Sequence, residues 1–428
     1  MDTYGCPDFV YMCSRSTGKI QSINRELLII HFLQNTMHTS GITLAFASAV
    51  LAARPFLNEA DNGLLDAVGN LSPGMLPELS SMAGLSDFDF AARNYLPPRN
   101  YTYYRNAAGG EWSYRNNLEV FQRYTFKPRV MRDVSRLPES LAFHPSSLLH
   151  ALEERLVIQM PSSTSSAELQ MKTYYISWVA LFLIEFSPAY IWLQPSLQAT
   201  MSMEDIAASK DDGQVLFQQL YLPPGEDNTK KLLRRTEATG AKAIVFTVDA
   251  PANGDRQRAY RQRGRTPEPE FQAITWEYYR KIRNMTSLPI VLKGIMSVDD
   301  AQAAVSNGVR AIILSNHGGR QLDGSPSSLE VALDIHKAAP EIFKQIEVYA
   351  DGGVRYGTDV LKLLALGVRA VGVGRPFMYA NSYGYDGVLQ AIQMLKRQIS
   401  VDAANLGVTD LKKLDASFVN WTPNNWMG

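Results

Sequence analysis

The stretch Ser315-Asn316-His317-Gly318-Gly319-Arg320-Gln321 sets a base beside a permanent cation. Histidine can take up a proton near neutral pH, and arginine offers a planar fork that matches a carboxylate. The two glycines let a planar ligand approach the backbone closely. Ahead of the stretch, Ala311-Ile312-Ile313-Leu314 has the length and β-branching of a buried strand, and Leu322-Asp323-Gly324-Ser325-Pro326 behind it is turn chemistry. Taken alone, the heptapeptide fits equally a loop whose His and Arg cap a helix, so the elements around it must decide.

Those elements form an α/β rhythm from Val215 onward. Strands are expected at Val215–Tyr221, Ala243–Ala250, Pro289–Gly294, Ala311–Asn316, Ile346–Gly352 and Ala370–Gly374. Helices such as Thr229–Thr239, Val298–Asn307 and Gly357–Leu366 separate them. Polar residues gather at the carboxyl ends of the strands: Gln219 and Tyr221, Thr247 and Asp249, Lys293, His317, Asp351 and Arg375. That distribution predicts a (β/α)8 TIM barrel; a doubly wound sheet would concentrate its site at one switch point. The last two loops, Gly352-Gly353-Val354-Arg355 and Gly372-Val373-Gly374-Arg375, offer backbone N–H groups and guanidinium groups of the kind a phosphate needs.

Composition bounds the rest. The 428 residues are 46% hydrophobic and 20% charged, with 42 basic against 42 acidic side chains, which describes a globular chain with no charge excess for nucleic acid. Two cysteines, Cys6 and Cys13, leave the body without a disulfide framework. Ile42–Ala53 is a short apolar run ending in small residues, which reads as a signal peptide if translation starts at Met37. Sequons at Asn70, Asn100, Asn284 and Asn420 are compatible with the secretory pathway; without that start the location is cytoplasmic or organellar. The expected organisation is an extension over 1–36, the signal peptide over 37–53, a linker over 54–87 and the barrel over 88–428, atypical over 136–195. No membrane span and no metal cluster is expected.

The Ser315–Gln321 stretch resembles the signature of the FMN-dependent 2-hydroxy acid oxidases and dehydrogenases, the family of glycolate oxidase, lactate oxidase and flavocytochrome b2. Gln219-Leu220-Tyr221, Thr247–Pro251, Leu292-Lys293-Gly294 and Asp351–Arg355 follow the family's order, and the likeness covers roughly 88–135 and 195–420. The resemblance implies an FMN enzyme that oxidises a small (S)-2-hydroxy carboxylate and passes electrons to oxygen or an external acceptor. A homo-oligomer is compatible with it. It implies that His317 is the base, that Asp249 steadies its charged form, and that Arg320, Arg256 and Tyr103 hold the substrate carboxylate while Tyr221 meets the substrate oxygen. It assigns Lys293 to the N1–O2 edge of the flavin, where a cation favours the reduced anion. Gln219, Thr247 and Ser196 fall to the ring, Gly353, Arg355, Gly374 and Arg375 to the phosphate, and Ser315, Asp351 and Gly352 to the cofactor in general. No His-Pro-Gly-Gly element of a haem module precedes the barrel, which favours a diffusible acceptor.

The chain departs from the family over about Arg136–Ser196. The expected first strand with its Pro-Thr/Ala-Ala end is missing, which would leave an open barrel. Arg155–Met160 is the candidate second strand. Ser162–Pro195 fits neither a barrel helix nor a loop, and reads as a stretch whose removal would join Pro161 to Ser196. A catalytically defective barrel, or another phosphate-binding barrel enzyme, is the alternative to the hydroxy acid enzyme.

Overall fold

The computed structural model describes residues 63–134, 181–185, 191–199, 201–210, 214–264 and 271–424, with backbone only for 181–185, 191, 192 and 263. The chain divides between Gly63 and Leu64, and the fold below belongs to the unit from Leu64 onward. Met37, the apolar run Ile42–Ala53, both cysteines and Arg155–Met160 lie outside the described residues.

Eight strands build the sheet: β1 Leu181–Glu185, β2 Ile191–Gln194, β3 Phe217–Leu220, β4 Ala243–Thr247, β5 Ile290–Ile295, β6 Ala311–Leu314, β7 Glu347–Asp351 and β8 Ala370–Val373. Their order is β2-β1-β8-β7-β6-β5-β4-β3. The ring closes where β2 and its extension meet β3 and its approach through two parallel bridges, Leu193 with Leu216 and Ser196 with Gln219. β3 to β8 run parallel. β1 alone runs antiparallel to both its neighbours, β2 and β8. The fold is a TIM barrel, with an antiparallel strand where the open edge was expected.

This corrects the reading of Ser162–Pro195. Its last part, Ile191–Gln194, is the strand that feeds Ser196 directly, so joining Pro161 to Ser196 would delete a barrel strand. Its middle part supplies Leu181–Glu185, whose backbone groups satisfy the edges of β2 and β8. A parallel β1 would need a long crossover to reach β2; an antiparallel one needs only the short connection from Glu185 to Ile191.

Alternation places two side-chain layers inside the barrel. Phe217, Val245, Val291, Ile313, Tyr349 and Ala370 form an apolar plug. Two residues further along each strand or its extension come Gln219, Thr247, Lys293, Ser315, Asp351 and Gly372, so the polar layer begins where the plug ends. The outward positions, such as Ile244, Phe246, Leu292, Ile312 and Val348, pack under the helices. Those helices start where side chains can accept the free N–H groups of a first turn. Ser297 accepts from Asp300, and Ser327 forms a capping box with Glu330.

The expected linker is also corrected. Leu64, Met82 and Leu85 are buried in the core, and Gln390 Nε2 donates to the carbonyls of Leu79 (3.0 Å) and Met82 (2.9 Å). Residues 64–87 are therefore part of the barrel unit. Of the sequons, Asn70 and Asn284 are exposed, whereas Asn100 and Asn420 are half-buried. Among the described residues no helix is long and apolar enough to cross a membrane, and no group of three His, Cys, Asp or Glu could hold a metal.

Candidate active site

The β6 strand ends in a turn that lifts His317 out of the sheet. His317, Gly318 and Gly319 take φ of 58°, 62° and 74° in succession. For histidine that left-handed conformation is strained by about 1–2 kcal/mol. The Asn316 side chain accepts from Gly319 N at 3.0 Å and so holds the turn. It also exchanges two amide hydrogen bonds, of 2.8 and 2.9 Å, with Asn117. Asn117 was not foreseen from sequence, since its partner lies 199 positions away and no local pattern marks it.

The imidazole is held on both sides. Nδ1 lies 2.9 Å from Asp249 Oδ1, and Nε2 lies 3.4 Å from the Tyr221 hydroxyl. Burial, then the nearby Lys293 and Arg320 charges, push the His317 pKa below its ordinary value, although Asp249 opposes them. Burial would raise the Asp249 pKa, but the attraction of His317 when protonated, the Lys293 ammonium and the hydrogen bond with His317 bring it below its ordinary value. The pair is thus a neutral imidazole on a fixed anion, which is the resting state of a general base.

Beside it stand two guanidinium groups. Arg256 Nε donates to the carbonyl of Arg320 at 3.0 Å, and Arg320 donates to the carbonyl of Tyr103 at 3.0 Å. Burial and the neighbouring Arg256 push Arg320 down to about 10, and burial lowers Arg256 as well. Both stay protonated at neutral pH. Neither guanidinium has a carboxylate partner among the described residues, so two like charges in one half-buried region favour an anion there.

The polar layer is chained together beneath. Ser196 Oγ donates to Gln219 Oε1 (2.9 Å), and Gln219 Nε2 donates to Thr247 Oγ1 (2.8 Å). Lys293 Nζ donates to Ser315 Oγ (2.8 Å), which donates to Asp351 Oδ1 (2.7 Å). Lys293 also lies 3.5 Å from Asp351 Oδ2, an ionic contact longer than a good hydrogen bond. Burial alone would lower Lys293, but Asp351 and Asp249 raise it, so it is charged.

All this surrounds one cavity that is open to solvent. It brings together Tyr103, Tyr221, His317 and Arg320 with the strand-end set from Ser196 to Arg375. Asp249, Arg256 and Ser315 stand behind the lining and act on it through His317, Arg320 and Lys293. Gly353 has φ of +81°, and a Cβ there would lie 1.8 Å from the Asn117 carbonyl, so the loop can pass only as glycine.

Arg375, expected on the phosphate side, is anchored by protein carbonyls. Its guanidinium donates to the carbonyls of Tyr104 (2.9 Å), Gly318 (3.0 Å) and Asn106 (2.9 Å), and lies 4.8 Å from the Tyr114 ring centre. The side chain ties the Tyr103 segment to the His317 turn with three of its five N–H groups, and it also lines the cavity. Arg375→Lys is expected to lose at least one charged hydrogen bond, roughly 1.5–3 kcal/mol of stability. Flavin affinity should change little. Denaturant unfolding beside flavin titration checks this, and a large loss of flavin affinity at unchanged stability would support the phosphate role.

The profile of the FMN-dependent dehydrogenases matches residues 92–144, 187–273 and 268–421. The chain belongs to this family. Human 2-hydroxyacid oxidase 1 is 33% identical over 382 residues, covering 82% of this chain and 98% of the relative. L-lactate dehydrogenase (cytochrome) of Wickerhamomyces anomalus is 32% identical over 79% of this chain, which spans 61% of that relative's length. Among solved structures, the flavin-binding domain of baker's yeast flavocytochrome b2 is 30% identical, with a TM-score of 0.66 over 80% of this chain and 88% of that one. A mandelate oxidase matches at 30% identity and a TM-score of 0.61, over 79% of this chain and 98% of that one.

The cofactor of an FMN-dependent dehydrogenase fits the residues present. A buried, charged lysine and a run of hydrogen-bonding side chains face the cavity. The same cavity is lined by Gly352-Gly353, Arg355 and Gly374, at the last of which a Cβ would meet nothing within 4 Å. The matched segments omit 145–186, so the family's sequence pattern and the antiparallel β1 diverge in the same place.

Proposed function

We propose that the chain oxidises a small (S)-2-hydroxy acid to the 2-oxo acid with FMN, electrons then passing to oxygen or an external acceptor. The observation that carries this reading is the neutral His317–Asp249 pair within one turn of the Arg320 guanidinium. Base and carboxylate fork are thereby spaced for a proton on or next to the carbon that bears the carboxylate.

Arg320 binds the substrate carboxylate with Tyr103 beside it, and Arg256 behind them adds positive charge and holds the Arg320 backbone. Tyr221, hydrogen-bonded to His317, orients the substrate hydroxyl towards Nε2. His317 takes a proton from the substrate, and Asp249 stabilises the resulting imidazolium through Nδ1. FMN supplies the two-electron acceptor that no side chain can provide. Lys293 would hold positive charge beside its ring, and Ser196, Gln219 and Thr247 would also hold the ring. Gly353, Arg355, Gly374 and the Arg375 backbone N–H hold its phosphate. The names of relatives support this chemistry, since they include an L-lactate oxidase and a 2-hydroxyacid oxidase.

The decisive test is the visible spectrum of the purified protein. Anaerobic addition of glycolate or L-lactate should bleach a bound flavin; a colourless protein, or a yellow one that no 2-hydroxy acid bleaches, rejects the reading. Within it, Arg320→Lys keeps the charge and loses the fork. Apparent substrate affinity in a flavin-reduction titration should weaken by roughly 1–3 kcal/mol. Unchanged affinity would remove Arg320 from the carboxylate site.

A further inference from the structure

We infer that the Gln194 carboxamide hydrogen-bonds the flavin ring of FMN, an assignment that rests on the FMN reading above. Gln194 is 0% exposed, yet neither its Nε2 nor its Oε1 has a hydrogen-bond partner among the described residues. It lines the same cavity as Lys293, Gln219 and His317. Its neighbours differ in degree. Gln218 is equally buried, but its Nε2 donates to the carbonyls of Pro195 and Gln219, each at 3.1 Å, and only its Oε1 is without a partner among the described residues. Gln219 is satisfied between Ser196 and Thr247.

Strand alternation explains why Gln194 is left over. It stands two residues before Ser196, on the same interior face of the strand and one step deeper. At that depth the barrel is filled by Phe217, Val245, Val291, Ile313, Tyr349 and Ala370. The plug is apolar around the carboxamide, and the polar chain above it is already closed on itself. A buried amide that makes no bond is unfavourable, and an aliphatic side chain would fill the same space without that cost. The cavity is the direction left to it. A carboxamide presents a donor and an acceptor side by side, which complements the N–H flanked by two carbonyl oxygens in the flavin's pyrimidine ring.

Gln194→Met conserves volume and removes the amide; Gln194→Asn keeps the amide on a shorter stem. The holoenzymes are compared by FMN dissociation constant, from ultrafiltration against added FMN, and by the shape of the visible flavin band. Gln194→Met is expected to raise the FMN dissociation constant roughly five- to fiftyfold, and both variants to change the band. If Gln194→Met fails to fold, the band of Gln194→Asn carries the test. Variants with the parent's FMN affinity and band, and a higher thermal midpoint for Gln194→Met, would overturn the inference and leave Gln194 to a buried water. A parent protein that binds no FMN would overturn it together with the reading it rests on.

Discussion

Replacing His317 by glutamine is expected to slow flavin reduction by about two orders of magnitude or more while FMN stays bound. Glutamine can keep a hydrogen bond to Asp249 but cannot take a proton. Among the described residues, His317 is the histidine that the fold presents to the cavity; His336 instead lies 3.2 Å from the Leu366 carbonyl, on a helix. The parent's pH profile gives an independent check. The imidazole must be neutral to act, and its pKa is pushed below the ordinary 6.5 chiefly by burial. A lowered pKa means the base is ready at neutral pH, so kcat/KM should fall only as pH drops through a midpoint below 6.5. That limb should vanish in His317→Gln. A variant that reduces its flavin at the parent rate, or a parent whose acid limb lies well above 6.5, removes His317 from the role.

Lys293→Met is expected to cost roughly 3–5 kcal/mol of stability, because it leaves buried carboxylates without their counter-charge. The Asp351 side chain is 6% exposed and faces Nζ at 3.5 Å, and the same ammonium helps keep Asp249 ionised. Methionine fills the stem's volume but returns neither the charge nor the hydrogen bond to Ser315. Asp351→Asn in the same chain should recover part of the loss, since the charge that had been stranded is then gone. Denaturant unfolding of the parent, both single variants and the double variant measures the coupling. A loss below about 1 kcal/mol for Lys293→Met, or no recovery in the double variant, would place the pair in an exposed-like setting where such contacts contribute little.

Much of this barrel is determined by local pattern. Strands β3 to β8 are short apolar runs because both faces of a parallel barrel strand are covered, one by the plug and one by helices. Their polar residues sit at the carboxyl ends because the plug stops there, so Gln219, Thr247, Lys293 and Asp351 announce the cavity from sequence. His317 and Arg320 do the same through the glycines between them, which a tight turn demands.

Other parts were decided only by tertiary structure. Leu181–Glu185 and Ile191–Gln194 are apolar runs on either side of Pro188 and carry no period that tells strand direction. The free edges of β8 and β3 chose an antiparallel and a parallel partner for them. Arg375 follows a glycine at a strand end, as a phosphate ligand would. Yet the carbonyls of Tyr104 and Asn106, 271 and 269 positions away, come within reach of its guanidinium and take it. Gln194 looks like any polar residue before a proline; only closure of the ring shows it buried at the depth of the apolar plug, with no hydrogen-bond partner among the described residues. A residue's type sets which bonds it can make, and is legible in the chain itself. Which groups arrive to make them depends on contacts hundreds of residues apart, and these exist only once the barrel has closed.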